Sequence, residues 1–132
     1  MTMRVTTFSV AVMVAMAASA SAQNSDGSFS SATRFMQRDG EVIYKTVCAA
    51  CHMPNGEGAI GAGAYPALAR NAKLAAAAYP VLMVVGGRNA MPSFAHTLDD
   101  EEIAAVVNYV RTHFGNGYTD AVFAIDVKVA RQ

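Results

Sequence analysis

Cys48-Ala49-Ala50-Cys51-His52 decides how the rest of this chain is read. It is a C-x-x-C-H run, the attachment signature of a c-type haem. Two thiols three positions apart lie on one side of a helical turn, so both can add across the two vinyl groups of one macrocycle. The histidine follows at once, which places an imidazole beneath the iron as a proximal ligand. Cys48 and Cys51 are the only cysteines in the 132 residues, and this reading uses both. Other uses of the pair fit less well. A thioredoxin-like redox motif expects a βαβ setting, which the flanking sequence lacks. A zinc site needs a second ligand pair, and His96 and His113 do not form one. A disulfide across two residues would be strained and would close a tiny loop.

The chain opens with Met1-Thr2-Met3-Arg4, then an apolar run from Val5 to Ala18, then Ala20-Ser21-Ala22. One positive charge, a short apolar core and an A-x-A site make a secretory signal, with cleavage expected after Ala22. The apolar core is short for a membrane span, so a membrane enters only if this leader is kept as an anchor. Export agrees with a haem attached outside the inner membrane and points to the periplasm. The leader also inflates the hydrophobic share of 53%. Arg4 is its one basic residue, so nine basic and ten acidic residues would remain. That balance gives no reason to invoke nucleic acid. About 110 residues would be left, enough for one small domain with a thin core that a buried haem would supplement.

The expected organisation is residues 1–22 signal peptide, 23–37 a Ser-rich arm, 38–117 the folded domain and 118–132 an extension. A first helix is expected from Asp39 to Ala49, capped by Asp39, with Val42, Ile43 and Val47 on its apolar side. Met53 to Gly63 holds Gly56, Gly58, Gly61 and Gly63 and reads as a loop without regular structure. Tyr65-Pro66-Ala67-Leu68 follows. A ligating imidazole usually donates its second N–H to an oxygen, and the Pro66 carbonyl is the candidate acceptor for His52. Leu68 would pack on the proximal haem face. Asn71 to Ala78 reads as a short helix, and Tyr79-Pro80 opens another that Gly86-Gly87 stops.

A six-coordinate iron needs a second axial ligand. The candidates are Met36, Met53, Met83, Met91, His96 and His113. Met53 adjoins His52 on the proximal side, and Met83 lies in a helical apolar run that reads as core. Met91 sits in a loop between helices and is stiffened by Pro92, so Met91 is the expected ligand, with His96 as the fallback. Leu98 to Ile103 then carries the signals of a helix start: Asp99 as cap, Glu102 completing a capping box, and Leu98 opposite Ile103. Ile103, Val106, Val107, Val110 and Phe114 form one apolar face, and Gly115-Asn116-Gly117 ends the helix. Val122, Ile125, Val127 and Val129 suggest an extended strap along the body.

From Asp39 to Gly117 the chain resembles a class I cytochrome c. The likeness is carried by Cys48 to His52, Tyr65 to Leu68, the Met91-Pro92 loop and the capped last helix bearing Tyr109. It implies an all-α cytochrome c fold, short helices around one covalently attached haem c. It also implies a bond from His52 to the Pro66 carbonyl, and a crossing of the terminal helices at Gly40, Tyr44 and Tyr109. Arg70, Asn71 and Arg88 become candidates to meet the haem propionates. More narrowly, residues 65–71, the Tyr79-Pro80 helix and Gly87-Arg88 are similar to small cytochrome subunits of periplasmic dehydrogenases, such as the p-cresol methylhydroxylase type. The implied function is one-electron transfer and not catalysis. The donor would be a flavin- or quinone-dependent dehydrogenase, and the acceptor a downstream cytochrome or oxidase. A free carrier serving a terminal oxidase is the nearest alternative. A haem enzyme or gas sensor with an open iron position is a different class, and ligation by Met91 separates the two. A haem-free structural module is the remaining reading.

Overall fold

Asp39 starts the first helical segment because its carboxylate accepts from the backbone N–H groups of Glu41 and Val42. In the computed structural model, which describes residues 38–61 and 63–132, that segment is not one regular helix. α1 spans Gly40–Ile43. A π-helical turn, Tyr44–Cys48, follows directly, and α2 spans Ala49–His52. The helical segment thus runs three residues past the Ala49 expected from the sequence and ends on His52. The wide turn adds a residue to the helical repeat, a device found often at functional sites. It shifts the phase of everything after it, and here that is the haem motif.

α3 spans Ala78–Gly86, α4 Asp100–Thr112 and α5 Ala124–Ala130. α4 begins with the expected capping box: Glu102 N–H donates to Asp99 at 2.9 Å, and Asp99 N–H donates to Glu102 at 2.9 Å. Its apolar face supplies Ile103, Val106, Val107 and Val110 to the core, which Ile43, Tyr44, Leu74, Val81 and Leu98 complete. At full burial each such side chain contributes about 1.5–3 kcal/mol.

α1 crosses α4 at Gly40. A β-carbon there would lie 2.8 Å from the Ala105 carbonyl carbon and 2.9 Å from Tyr109 Cβ, and closer still to the Ala105 oxygen. The two backbones therefore touch where no side chain intervenes. Tyr44 packs beside this contact, with its ring 5.7 Å from Tyr109 and 4.8 Å from Phe114.

Three local expectations are corrected. Residues 53–63 are not wholly irregular: β1, Ala59–Ile60, pairs antiparallel with β2, Ala64–Tyr65, the Gly61 N–H donating to Gly63 O at 2.8 Å inside the turn. Asn71 to Ala78 forms only a 3₁₀ turn, Ala72–Ala75, because its alanines offer little to bury beyond Leu74. The expected strap is the helix α5. Its β-branched residues disfavour helix in isolation, but packing on α3 and α4 overrides that preference. Val122 and Val127 are buried, while Ile125 and Val129 face outward. Asn108 of α4 fixes the approach to α5 with a two-way bond to the Val122 backbone, both at 2.8 Å.

Candidate haem site

His52 ends α2 and is buried, and its Nδ1 lies 2.9 Å from the Pro66 carbonyl oxygen. With Nδ1–H donating there, the Nε2 lone pair is left free to ligate, and the tautomer and ring plane are fixed together. Gly58 makes room for this. Its φ is +68°, and a β-carbon on it would come within 2.8 Å of the Pro66 carbonyl carbon. Leu68 is held beside the site by a bond from its N–H to Gly56 O at 2.7 Å.

Met91 is positioned from the other side. Arg88 and Met91 exchange backbone bonds of 2.9 Å each way, closing a tight turn over Asn89 and Ala90. Gly87, at φ +69°, lets this turn fold against the end of α3. A β-carbon there would fall 2.6 Å from Met91 O and 2.7 Å from Ser93 N. The loop is then bolted to the last carbonyls of α3, which lack partners inside the helix. Phe94 N–H donates to Val84 O at 2.9 Å, and the Ser93 hydroxyl donates to Val85 O at 2.5 Å.

Between these two supports lies a cavity of about 790 Å³, within the ordinary range for a cofactor site. Cys48, Cys51, His52, Pro66, Leu68, Arg88 and Met91 all line it. Its remaining walls are largely apolar, with Val47, Leu74, Phe94, Val106, Val107 and Val110 among them. Two thiols on one wall, an imidazole with a fixed tautomer and a thioether are the donor set a c-type haem uses, and the volume and apolar walls suit a macrocycle. As a free thiol Cys48 is pushed up to about 12 by its burial, with the neighbouring Cys51 adding to the effect.

Not every candidate reaches the cavity. Met53, His96 and His113 do not line it, and Met36 lies outside the described residues. Arg70 does not line it either, its side chain lying against Gly115, whereas Asn71 and Arg88 do. Met83, read as core, is half-buried and borders the cavity. Its place in the first two turns after Pro80 puts one face of α3 on the site. Among the described residues no three His, Cys, Asp or Glu side chains gather as a metal cluster, so the cysteine pair has no further zinc ligands beside it.

Two supporting residues are not singled out by the sequence pattern. Asn116 is buried and ties the end of α4 to the proximal wall. Its amide donates to Leu68 O and Val110 O at 2.9 Å each, and its oxygen accepts from Asn71 N–H at 2.9 Å. An asparagine between two glycines after a helix was the trace of it. Arg111 is wholly buried and bonds to the Leu74 and Ala75 carbonyls, partners more than thirty residues away that local pattern cannot reveal.

Residues 35–110 match the family model described as cytochrome c oxidase, cbb3-type, subunit III. The chain is similar to the fructose dehydrogenase cytochrome subunit of Gluconobacter japonicus, 32% identical over 111 residues, which cover 73% of this chain and 23% of that protein. It is also similar to cytochrome c-552 of Thermus thermophilus, 38% identical over 97 residues, covering 61% of this chain and 71% of the relative. Cytochrome c6 of Gracilaria tenuistipitata var. liui is 39% identical over 82 residues, covering 60% and 74%. The chain therefore spans under a quarter of the dehydrogenase subunit and about seven tenths of the two small cytochromes. With a single C-x-x-C-H motif set in a helical fold, the chain belongs to the cytochrome c family that this model describes, as a monohaem electron carrier with c-type haem as its cofactor.

Proposed function

We propose that this protein is a periplasmic carrier that takes single electrons from a flavin- or quinone-dependent dehydrogenase and passes them to a downstream cytochrome or oxidase. His52 and Met91 would hold the iron from its two sides, and Cys48 and Cys51 would carry the thioether links. Bound haem supplies a one-electron couple at its iron. The chain's own residues do the rest. The Pro66 carbonyl holds the His52 Nδ1 proton, Leu68 packs the proximal side, and the Arg88–Met91 turn presents the thioether. The apolar walls exclude water, and a soft sulfur ligand favours the reduced state. Arg88, exposed and lining the cavity, is the candidate cation for a propionate, with Lys73 lining the same cavity.

The observation that carries this reading is that Cys48, Cys51, His52 and Met91 border one and the same cavity. The dehydrogenase partner is supported by similarity to a dehydrogenase cytochrome subunit. Delivery to a terminal oxidase is a second reading, favoured by the oxidase description of the family model. Residues 1–22 act as a cleaved signal, 23–37 as an arm, and 118–132 as an extension of the 38–117 domain. Among the described residues no helix is long and apolar enough to cross a membrane.

The test is to mix purified holoprotein with a flavin-dependent dehydrogenase from the same cells, and separately with membranes holding a terminal oxidase. Reduction of the haem on adding the dehydrogenase substrate supports the first reading. Reoxidation by the membranes without any such reduction favours the second. A ferrous form that binds carbon monoxide freely would overturn the six-coordinate carrier.

A further inference from the structure

Arg111 is 0% exposed, yet the carboxylate that pairs with it, Asp120, is 68% exposed. The guanidinium donates from Nε to Leu74 O at 2.9 Å, from Nη2 to Ala75 O at 3.2 Å and to Asp120 Oδ1 at 2.6 Å, and from Nη1 to Asp120 O. The Tyr118 ring lies against it, 5.9 Å from Cζ to the centroid. Leu74 forms part of the cavity wall, and so do Val107 and Val110, which precede Arg111 on α4. The cation therefore sits directly behind the apolar wall of the haem site, and its counter-charge stands on the far side, in water.

The two charges do not act equally on the cavity. Water screens Asp120 only in part, but more than it screens Arg111, whose field crosses a low-dielectric wall. The pair is a dipole whose positive end faces the haem site. Oxidised haem iron carries one more positive charge than reduced iron, so a fixed cation nearby opposes loss of the electron. We propose that Arg111, held by Asp120 and the 72–75 turn, tunes the redox equilibrium of the haem site toward the reduced state through its field. The proposal rests on haem carriage by this chain. A clamp that merely joined residues 118–120 to the 3₁₀ turn would need the same hydrogen bonds but no particular charge.

The experiment is spectroelectrochemical titration of the holoprotein and three variants, Asp120→Asn, Arg111→Lys and Arg111→Gln, at low and high salt. Field tuning expects Asp120→Asn to shift the equilibrium several-fold toward the reduced form at low salt, because the opposing charge is gone. That shift should shrink at high salt. Arg111→Gln should shift it several-fold the other way, and Arg111→Lys should stay near wild type. A structural clamp expects otherwise: Asp120→Asn loosens it and leaves the potential unchanged or lower, and Lys behaves like Gln. Either of those results overturns the proposal. Asp120 is at the surface, so its variant decides the matter even if Arg111→Gln fails to fold. Wild-type protein made with a working maturation system but lacking covalent haem would overturn haem carriage instead, and this is distinguishable because no potential could then be read.

Discussion

The Tyr44 hydroxyl donates to the carbonyl of Met53 at 2.6 Å, from the π-helical turn to the residue that follows His52. Met53 has φ +66°, a conformation unusual for a methionine, and it turns the chain sharply away from the haem motif. Tyr44 is fully buried, and that burial pushes its hydroxyl up to about 12, so it remains a donor at any physiological pH. Tyr44→Phe keeps the ring packing and loses the bond. Gly56 N–H still reaches Met53 O at 3.1 Å, so the carbonyl is not orphaned. The expected cost is about 1 kcal/mol, read as a lower denaturant midpoint with the slope unchanged.

Gly40→Ala tests the helix crossing more sharply than a large residue would. Even one methyl meets the Ala105 carbonyl and Tyr109 Cβ, so α1 and α4 must separate. Overpacking of this kind costs about 1–3 kcal/mol. A variant as stable as wild type in thermal or denaturant unfolding would show that the crossing yields without penalty.

Met91→Ala removes the proposed distal ligand while leaving Cys48, Cys51 and His52 in place. The sulfur-to-iron charge-transfer band should vanish, the potential should fall, and carbon monoxide should bind the reduced protein. Met83→Ala is the control, because Met83 borders the same cavity from α3. Being half-buried, it should cost about 2 kcal/mol, the low end for truncating a core methionine, and leave the band intact. Optical spectra of both variants decide the assignment, and the reverse pattern would transfer the ligand to Met83.

Acid should weaken the hold on residues 118–120. The Arg111 hydrogen bond keeps the Asp120 carboxyl below its ordinary value of 3.8. A group whose pKa is depressed by folding contributes stability above its unfolded value and loses it as pH falls through the folded one. Wild type should therefore exceed Asp120→Asn in stability near neutrality, and the gap should close below about pH 4. Thermal unfolding of the two proteins across that range makes the comparison, and a gap that stays constant into acid would refute the linkage.

What the sequence made legible was local or carried by a motif with its own chemistry. The Asp99–Glu102 capping box and the cysteine–histidine run each need only a few residues in register, whereas the long-range Gly40 crossing was legible through the family resemblance. The Met91 loop was legible as a loop, but not the means of holding it, because the Gly87 approach and the bonds to Val84 and Val85 exist only once α3 is packed. The tail was misread because Val122, Ile125, Val127 and Val129 favour extended chain, and the partners that make it helical lie on α3 and α4. The π-helical turn has no pattern of its own. Arg111 and Asn116 act on carbonyls 36 to 48 residues away, beyond any periodicity.

Arg38 reaches Asp99 and Glu101, and Arg131 reaches Asp100, with N···O distances of 2.8, 3.3 and 2.5 Å. Arg38 and Arg131 thus meet the same turn of α4, and this has a mechanical consequence. A pull on residue 38 falls on that turn, while a pull on residue 131 also reaches the Ala95 and Leu98 carbonyls, to which Arg131 donates. Tension between residues 38 and 131 is therefore shared by the first turn of α4 and the segment that leads into it from Met91. Joining residues 132 and 38 by a short, slack linker, and opening the chain elsewhere at the surface, should keep both arginines on these partners and leave the redox site undisturbed.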